Sequence, residues 1–183
     1  MRAIILCAGK GNRMNSNSPD YHKSLLKIND RQSFLSRILH QLLEYDFKEV
    51  LVITGYNSHI VENELNKVEL PIKIIYNNLY DEDTNIWSMK LGLENISKKS
   101  EPLLIIEADT YISDLSFNKI INVLKKNTST WFTKGNLMQN QTGGILKSRS
   151  NNFVSEIKII DNYNPSYKNY FKLTGLMVVE SNH

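Results

Sequence analysis

The chain has 183 residues, 41% of them hydrophobic and 22% charged, with a net charge of +3; this is the balance of a globular domain with a sizeable core. The small positive excess suits an anionic small substrate. Without basic runs interleaved with aromatics it is too weak to indicate nucleic acid. No apolar run is long enough to cross a bilayer, the N-terminus has no signal-peptide layout, and the single cysteine, Cys7, has no internal disulfide partner, so a reducing cytoplasm is the expected compartment.

In chain order, residues 3–8 (AIILCA) form a continuous apolar run that predicts a buried strand. Residues 33–45 carry Phe34, Leu35, Ile38, Leu39, Leu42 and Leu43 at helical spacing behind Ser33, a suitable N-cap. EVLVITGY (49–56) predicts a second buried strand ending in a glycine turn. Residues 58–68, with Ile60, Val61, Leu65 and Val68, predict a short amphipathic helix that stops before Pro71. IKIIYN (72–77) is a third strand, and residues 84–96 a helix with Ile86, Met89, Leu93 and Ile96 on one face. PLLIIEAD (102–109) is a fourth strand, apolar until it ends on acids, and residues 115–125 are helical again. This βαβα order with unbroken apolar strands predicts an α/β fold: a parallel sheet covered by helices on both faces. After residue 128 the segments STWFTKG, TGGILKSR, NFVSEIKII and FKLTGLMVV read as strands with short polar links, which add mixed or antiparallel pairing to the same sheet. No linker, repeat or low-complexity stretch divides the chain, so a single domain is expected.

Ligands of open parallel sheets bind beyond the carboxyl ends of the strands. The stretch AIILCAGKGNRM places Gly9 and Gly11 at such an end, where backbone N–H groups can approach phosphate oxygens closely, and Arg13 adds a fork of donors. A P-loop is excluded because Asn12 and Arg13 follow Gly11, and a dinucleotide fingerprint fails at Met14, where a third glycine is required. On spacing alone, a plain strand-to-loop turn with a solvated arginine accounts for the pattern about as well. Lys23 follows the loop; a lone lysine is ordinarily a surface residue, yet here it is placed to neutralise charge on a phosphoryl group. Asp109, at the same sheet edge as Gly9, could hold Mg²⁺ or cap a turn. Glu107 falls on the same strand face and is a second candidate.

AIILCAGKGNRM followed by HKSLLKI resembles the sugar-phosphate type of nucleotidyltransferase, with its A-A-G-x-G-x-R opening and later P-K-x-L. VLVITGYNSHIVENEL matches that family's second strand and helix, and LLIIEADTYI the strand ending on a metal-binding aspartate. YNNLYDEDTNIWSMKLGLE is similar to the N-N-x-x-Y-x-x-x-N-N-x-Y-S-L segment of cytidylyltransferases that activate phosphocholine and related phosphates or phosphonates. The resemblance implies a Rossmann-like three-layer sandwich. It implies transfer of a nucleoside monophosphate, CMP from CTP, to a small phosphate or phosphonate acceptor, with release of pyrophosphate and dependence on Mg²⁺. The backbone of Ala8 to Gly11 would cradle the triphosphate, Arg13 would hold the leaving phosphates, Lys23 would contact the α-phosphate and Asp109 would ligate Mg²⁺. Asn85 and Ser88 would line the nucleotide pocket, although a helix N-terminus capped by Thr84 explains them equally. Tyr80, Trp87 and Tyr111 could form an aromatic wall for a cationic acceptor, with a core role the competing account of Trp87.

Three departures stand out. His22 replaces the proline before the lysine and is expected to loosen the loop. Cys7 replaces an alanine, small for small. The family usually continues some tens of residues further, and neither Asp161 nor Glu180 can be assigned as the acid that completes the metal site. A catalytically incomplete nucleotide-binding module and a sugar-1-phosphate nucleotidyltransferase are therefore the alternatives; a nicotinamide oxidoreductase fails at Met14.

Overall fold

The computed structural model describes residues 1–11, 21–82, 85–97 and 101–181. Arg13, Met14 and Thr84 lie outside them. The chain divides into two compact units, Met1–Thr130 with Met177–His183, and Trp131–Leu176.

The first unit holds the parallel strands β1 (Arg2–Cys7), β2 (Glu49–Thr54), β3 (Ile72–Tyr76) and β4 (Leu103–Glu107). Helices α1 (Phe34–Leu43), α2 (Ser58–Leu65), α3 (Asn85–Asn95) and α4 (Asp114–Lys126) alternate with them or follow. The strand order is β3-β2-β1-β4, with β1 in register against both β2 (Ile4 opposite Leu51) and β4 (Ile4 opposite Ile105). Right-handed crossovers explain the layers. The chain steps one way from β1 to β2 to β3 through α1 and α2. It then returns over both to β4 through α3, which therefore covers the opposite face. On that face Ile4, Leu6, Leu51, Ile53, Leu103 and Ile105 pack with Ile96, Met89 and Leu91. The alternate residues, among them Ala3, Ile5, Val50, Val52, Leu104 and Ile106, are equally buried beneath α1, α2 and α4. This is the expected α/β architecture with helices on both faces.

Local chemistry sets the element ends. Ser33 caps α1 reciprocally with Ser36: each side chain accepts from the other's backbone N–H, at 3.1 and 2.8 Å. Ser113 caps α4, whose first turn carries Asp114 and whose last carries Lys125 and Lys126, both favourable to the helix dipole.

One expectation is corrected in part. Of the residues expected on one face of 84–96, Met89 and Ile96 pack on the sheet core, but Ile86 is 67% and Leu93 45% exposed, and the buried residues of α3 are Ser88 and Gly92. The helix sits so close that a Cβ on Gly92 would lie 2.8 Å from Ile4 Cγ2. Small residues win that face because large ones would not fit between helix and strand. β3 is the outer strand of its unit, and Ile74 and Tyr76 are exposed despite their apolar run.

In the second unit, β6 (Gly143–Ser148) pairs antiparallel with β7 (Val154–Ile160) and with β8 (Phe171–Val179), and β5 (Thr130–Asn136) pairs β8. Leu137, Ile145, Ile160 and Tyr170 form its core. The end of β8 belongs to the first unit, where Met177 and Val179 pack on the sheet core.

Candidate active site

The strand order reverses direction between β1 and β4, so the chain leaves these two neighbours on opposite courses and opens a crevice at their carboxyl ends. Ala8 to Gly11 leave β1 there, and Asp109 lies two residues beyond β4, in a turn rather than in the strand itself. The loop is rooted by hydrogen bonds across the sheet edge: Tyr56 N–H donates to the Ala8 carbonyl at 3.0 Å, and Ala108 N–H to that of Leu6 at 3.0 Å. Gly11 has φ +71°, the left-handed region that glycine enters without steric cost.

Lys23 lies along this loop. A Cβ on Gly9 would sit 3.5 Å from the Lys23 ammonium, and one on Gly11 3.4 Å from Cβ and Cδ of the same side chain. The two glycines thus leave a bare backbone against which the lysine is laid. Its ammonium ends 3.0 Å from the Asp109 carboxylate, with both side chains partly open to solvent. The structure therefore brings together Gly9, Gly11, Lys23 and Asp109. Arg13 lies outside the described residues.

Lys23 opens a single 3-10 turn, Lys23–Leu25, and stands between two buried residues, His22 and Ser24. Ser24 N–H donates to Nδ1 of His22 at 3.3 Å, and the Ser24 hydroxyl lies 2.7 Å from that nitrogen and 3.3 Å from Cys7 Sγ. Burial, reinforced by the adjacent Lys23 charge, pushes the His22 imidazole down to about 4, against the smaller opposing effects of the Cys7 backbone and Asp109. Burial likewise pushes the Cys7 thiol up to about 12, so it stands protonated and able to donate. His22 was expected to loosen the loop, which lies largely outside the described residues; in the turn that follows, its Nδ1 is held by the backbone and hydroxyl of Ser24.

The other candidates fall into distinct settings. Asn85 opens α3 in an exposed position and donates to Glu107 at 2.6 Å, so Glu107 braces the helix start. Ser88 is 1% exposed, and its hydroxyl accepts from the Asn77 amide at 3.1 Å. It stands behind the segment 77–82 and acts on that segment through Asn77, whose Oδ1 accepts from Leu79 N–H at 2.9 Å. Tyr80 meets Tyr56 and Tyr76 at centroid distances of 6.4 and 6.2 Å. The ammonium of Lys10 lies over Tyr80 and Tyr56, at 5.6 and 5.9 Å, and is ion-paired with Asp81, which raises its pKa. Trp87 is exposed rather than in the core, with Lys90 over its ring, and Tyr111 is exposed beneath Arg37. No ring pair joins Tyr80, Trp87 and Tyr111 to one another among the described residues. Sequence reasoning missed His22, Ser24, Lys10 and Asp81. For Lys10 the only signal was its place between the two loop glycines.

Among the described residues no three His, Cys, Asp or Glu side chains group as a metal cage, and no helix is long and apolar enough to cross a membrane. Asp109 offers a partly exposed hard oxygen at the crevice. Such a donor fits Mg²⁺, which commonly takes one or two carboxylates and completes its shell with substrate phosphates and water.

Known proteins are similar to this chain in sequence and in fold. The choline-phosphate cytidylyltransferase of Haemophilus influenzae is 31% identical over 133 residues, 73% of this chain and 52% of that protein. The D-glycero-alpha-D-manno-heptose 1-phosphate guanylyltransferase of Campylobacter jejuni is 31% identical over 129 residues, 70% of this chain and 54% of that protein. The solved CTP:phosphocholine cytidylyltransferase of Streptococcus pneumoniae shares the fold at a TM-score of 0.74, with 22% identity, over 98% of this chain and 70% of that one. The chain spans about half the length of the curated relatives it matches. The pattern that organises the crevice, from the first strand through the glycine loop to the aspartate after β4, falls within the match of the family's sequence model to residues 3–136, and the chain belongs to the MobA-like NTP transferase domain family.

Proposed function

We propose that this protein transfers a nucleoside monophosphate, CMP from CTP, to a small phosphate or phosphonate acceptor and releases pyrophosphate. The observation that carries the reading is Lys23, laid along the bare backbone of Gly9 and Gly11 and ending 3.0 Å from Asp109 at the crevice between β1 and β4. The likeness to a choline-phosphate cytidylyltransferase supports the choice of nucleotide and acceptor class.

An acceptor phosphate oxygen attacks the α-phosphorus as the bond to the β-phosphate oxygen breaks. The acceptor is already an anion at neutral pH, so no general base is needed. The protein's task is positioning and charge neutralisation. In this reading the backbone of Ala8, Gly9 and Gly11 cradles the triphosphate, Lys23 faces the α-phosphate, and Arg13 holds the leaving phosphates. Asn85 contributes at the nucleotide pocket, and Ser88 supports it by fixing Asn77. Tyr80, Trp87 and Tyr111 are proposed for the acceptor side. Asp109 would hold Mg²⁺, which when bound neutralises phosphate charge. Lys23, whose ammonium stands 3.0 Å from that carboxylate, would place its own positive charge beside a phosphate held there. The two units act in this reading as one nucleotidyltransferase domain, at work in the cytoplasm on small molecules.

The test is pyrophosphate release with Mg²⁺, each of the four nucleoside triphosphates being paired with phosphocholine, an aminoalkylphosphonate and a sugar 1-phosphate. Release that needs CTP and a phosphate or phosphonate supports the proposal. Release with GTP and a sugar 1-phosphate would support the second reading, which the likeness to the heptose 1-phosphate guanylyltransferase favours. Nucleotide binding without release from any pair would assign the chain to nucleotide binding alone.

A further inference from the structure

We infer that His22 and Ser24 are positioning residues that set the reach of Lys23, through a hydrogen-bond chain from the Cys7 thiol to the Ser24 hydroxyl to Nδ1 of His22. This rests on the nucleotidyl-transfer reading of Lys23.

A lysine side chain has four rotors, and a charge that must meet one phosphate gains from having its base fixed. The base here is a single 3-10 turn, too short to hold itself. It is fixed from both chain directions: the residue before Lys23 is 2% exposed and the residue after it is fully buried. Ser24 ties directly to Cys7, and His22 through Ser24; Cys7 is the last residue of β1, a strand paired on one side by β2 and on the other by β4. Lys23 leaves the turn toward Gly9 and Gly11.

The tautomer follows from the donors. Ser24 N–H can only donate, so Nδ1 accepts and the proton sits on Nε2. The Ser24 hydroxyl then donates to Nδ1 and accepts from the protonated thiol of Cys7. Nε2 is buried and makes no hydrogen bond of ordinary geometry, with only the Cys7 backbone acting weakly on the ring. A residue that only filled space would not carry that cost, and an apolar side chain would serve better. The use of the imidazole is Nδ1. His22 has φ −142°, far from the value proline imposes. The restraint that the family pattern obtains from a proline ring is supplied here by side-chain hydrogen bonds.

The experiment compares His22→Asn, His22→Leu and Ser24→Ala. Asparagine keeps an acceptor that can take the N–H two residues on, as in an Asx turn; leucine fills the space without one. With the nucleotide and acceptor that support turnover, His22→Leu and Ser24→Ala should lower kcat by roughly 10- to 100-fold, leave KM for the acceptor nearly unchanged and melt as folded proteins, while His22→Asn stays within about threefold of the parent. In a Lys23→Ala background His22→Leu should cost less than about twofold more, because its effect runs through the lysine. Equal losses in the leucine and asparagine variants, or the same loss with and without Lys23, would overturn the inference. The nitrogen-15 shifts of the His22 ring give a reading independent of turnover. A bare Nδ1 and protonated Nε2 at neutral pH support the hydrogen-bond chain, and the opposite tautomer refutes it. Failure of the parent protein to release pyrophosphate would count against the transfer reading and leave this second measurement intact.

Discussion

Gly55 closes β2 directly beneath the glycine loop, and replacing it with alanine should harm both stability and the site. The added Cβ would lie 2.5 Å from Tyr80 Cβ, 2.9 Å from Tyr80 Cγ and 2.9 Å from the Ala8 carbonyl oxygen. None of these atoms is the free end of a flexible chain. The Ala8 carbonyl already accepts from Tyr56 N–H. Tyr80 hangs from a turn fixed by Asn77, itself held by Ser88. Forcing a methyl into such a place costs about 1–3 kcal/mol. The stiffer unfolded chain of an alanine returns about 0.4–1 kcal/mol. The net loss should be about 1–2 kcal/mol, which at this chain length lowers Tm by about 2–8 °C. Thermal and urea unfolding measure the loss, and titration with nucleoside triphosphate measures the effect on the loop, where affinity should fall as the Ala8 carbonyl is displaced. A variant that melts at or above the parent temperature and binds nucleotide equally well would refute the close packing of Gly55, Ala8 and Tyr80.

Lys23→Ala and Asp109→Ala should each lower pyrophosphate release by about 100-fold or more; each should shift stability by less than about 1 kcal/mol, because the pair is partly exposed, and folded variants with parental rates would remove these residues from the mechanism. His22, facing Lys23, Asp109 and Cys7, titrates at about 4 when folded against 6.5 when exposed. Between these values the unfolded chain takes a proton that the folded chain refuses, so stability should fall by about 3 kcal/mol as pH drops from 6.5 through 4, and His22→Asn should flatten that slope in urea titrations. Cys7, buried and with its thiol pushed up to about 12, should resist a thiol reagent at pH 8 until the protein is denatured; rapid labelling of the native protein would contradict its burial.

The sequence made the frame legible where burial is complete. β1, β2 and β4 are covered on both faces, so their apolar runs are unbroken and give away a parallel sheet. Gly9, Gly11, Lys23 and Asp109 could be read together because each follows a strand or turn whose end the pattern marks. α3 was read correctly as a helix with Met89 and Ile96 toward the core, but not for Ile86 and Leu93, because its packing depends on how close the helix comes to Ile4, a distance that helical periodicity does not encode; small residues, Gly92 and Ser88, are the ones buried there. β3 was read as a strand, but the exposure of Ile74 and Tyr76 follows from its place at the edge of the first unit, which strand order sets and composition does not. His22 was read as a missing proline because a motif compares residue types, whereas its action lies in one ring nitrogen and a buried serine two positions on.

These cases share a physical cause. The sheet core is specified by many residues that repeat one message, so a single substitution leaves the pattern readable. The site is specified by single contacts between segments far apart in sequence: Cys7 with Ser24, Ala8 with Tyr56, Lys23 with Asp109, Asn85 with Glu107. All four pairs lie at the carboxyl ends of β1, β2 and β4 or on the segments that follow β1 to β4. In each pair one member ends a buried strand or lies within two residues of its end, and the other belongs to a loop, a short turn or a helix start with little stability of its own. The rigid strands therefore act as the reference against which the reactive lysine and the aspartate are set. It follows that the site should be more sensitive to changes in the strand ends, such as Gly55, than to equal changes in volume deeper in the sheet, where neighbouring side chains share the strain.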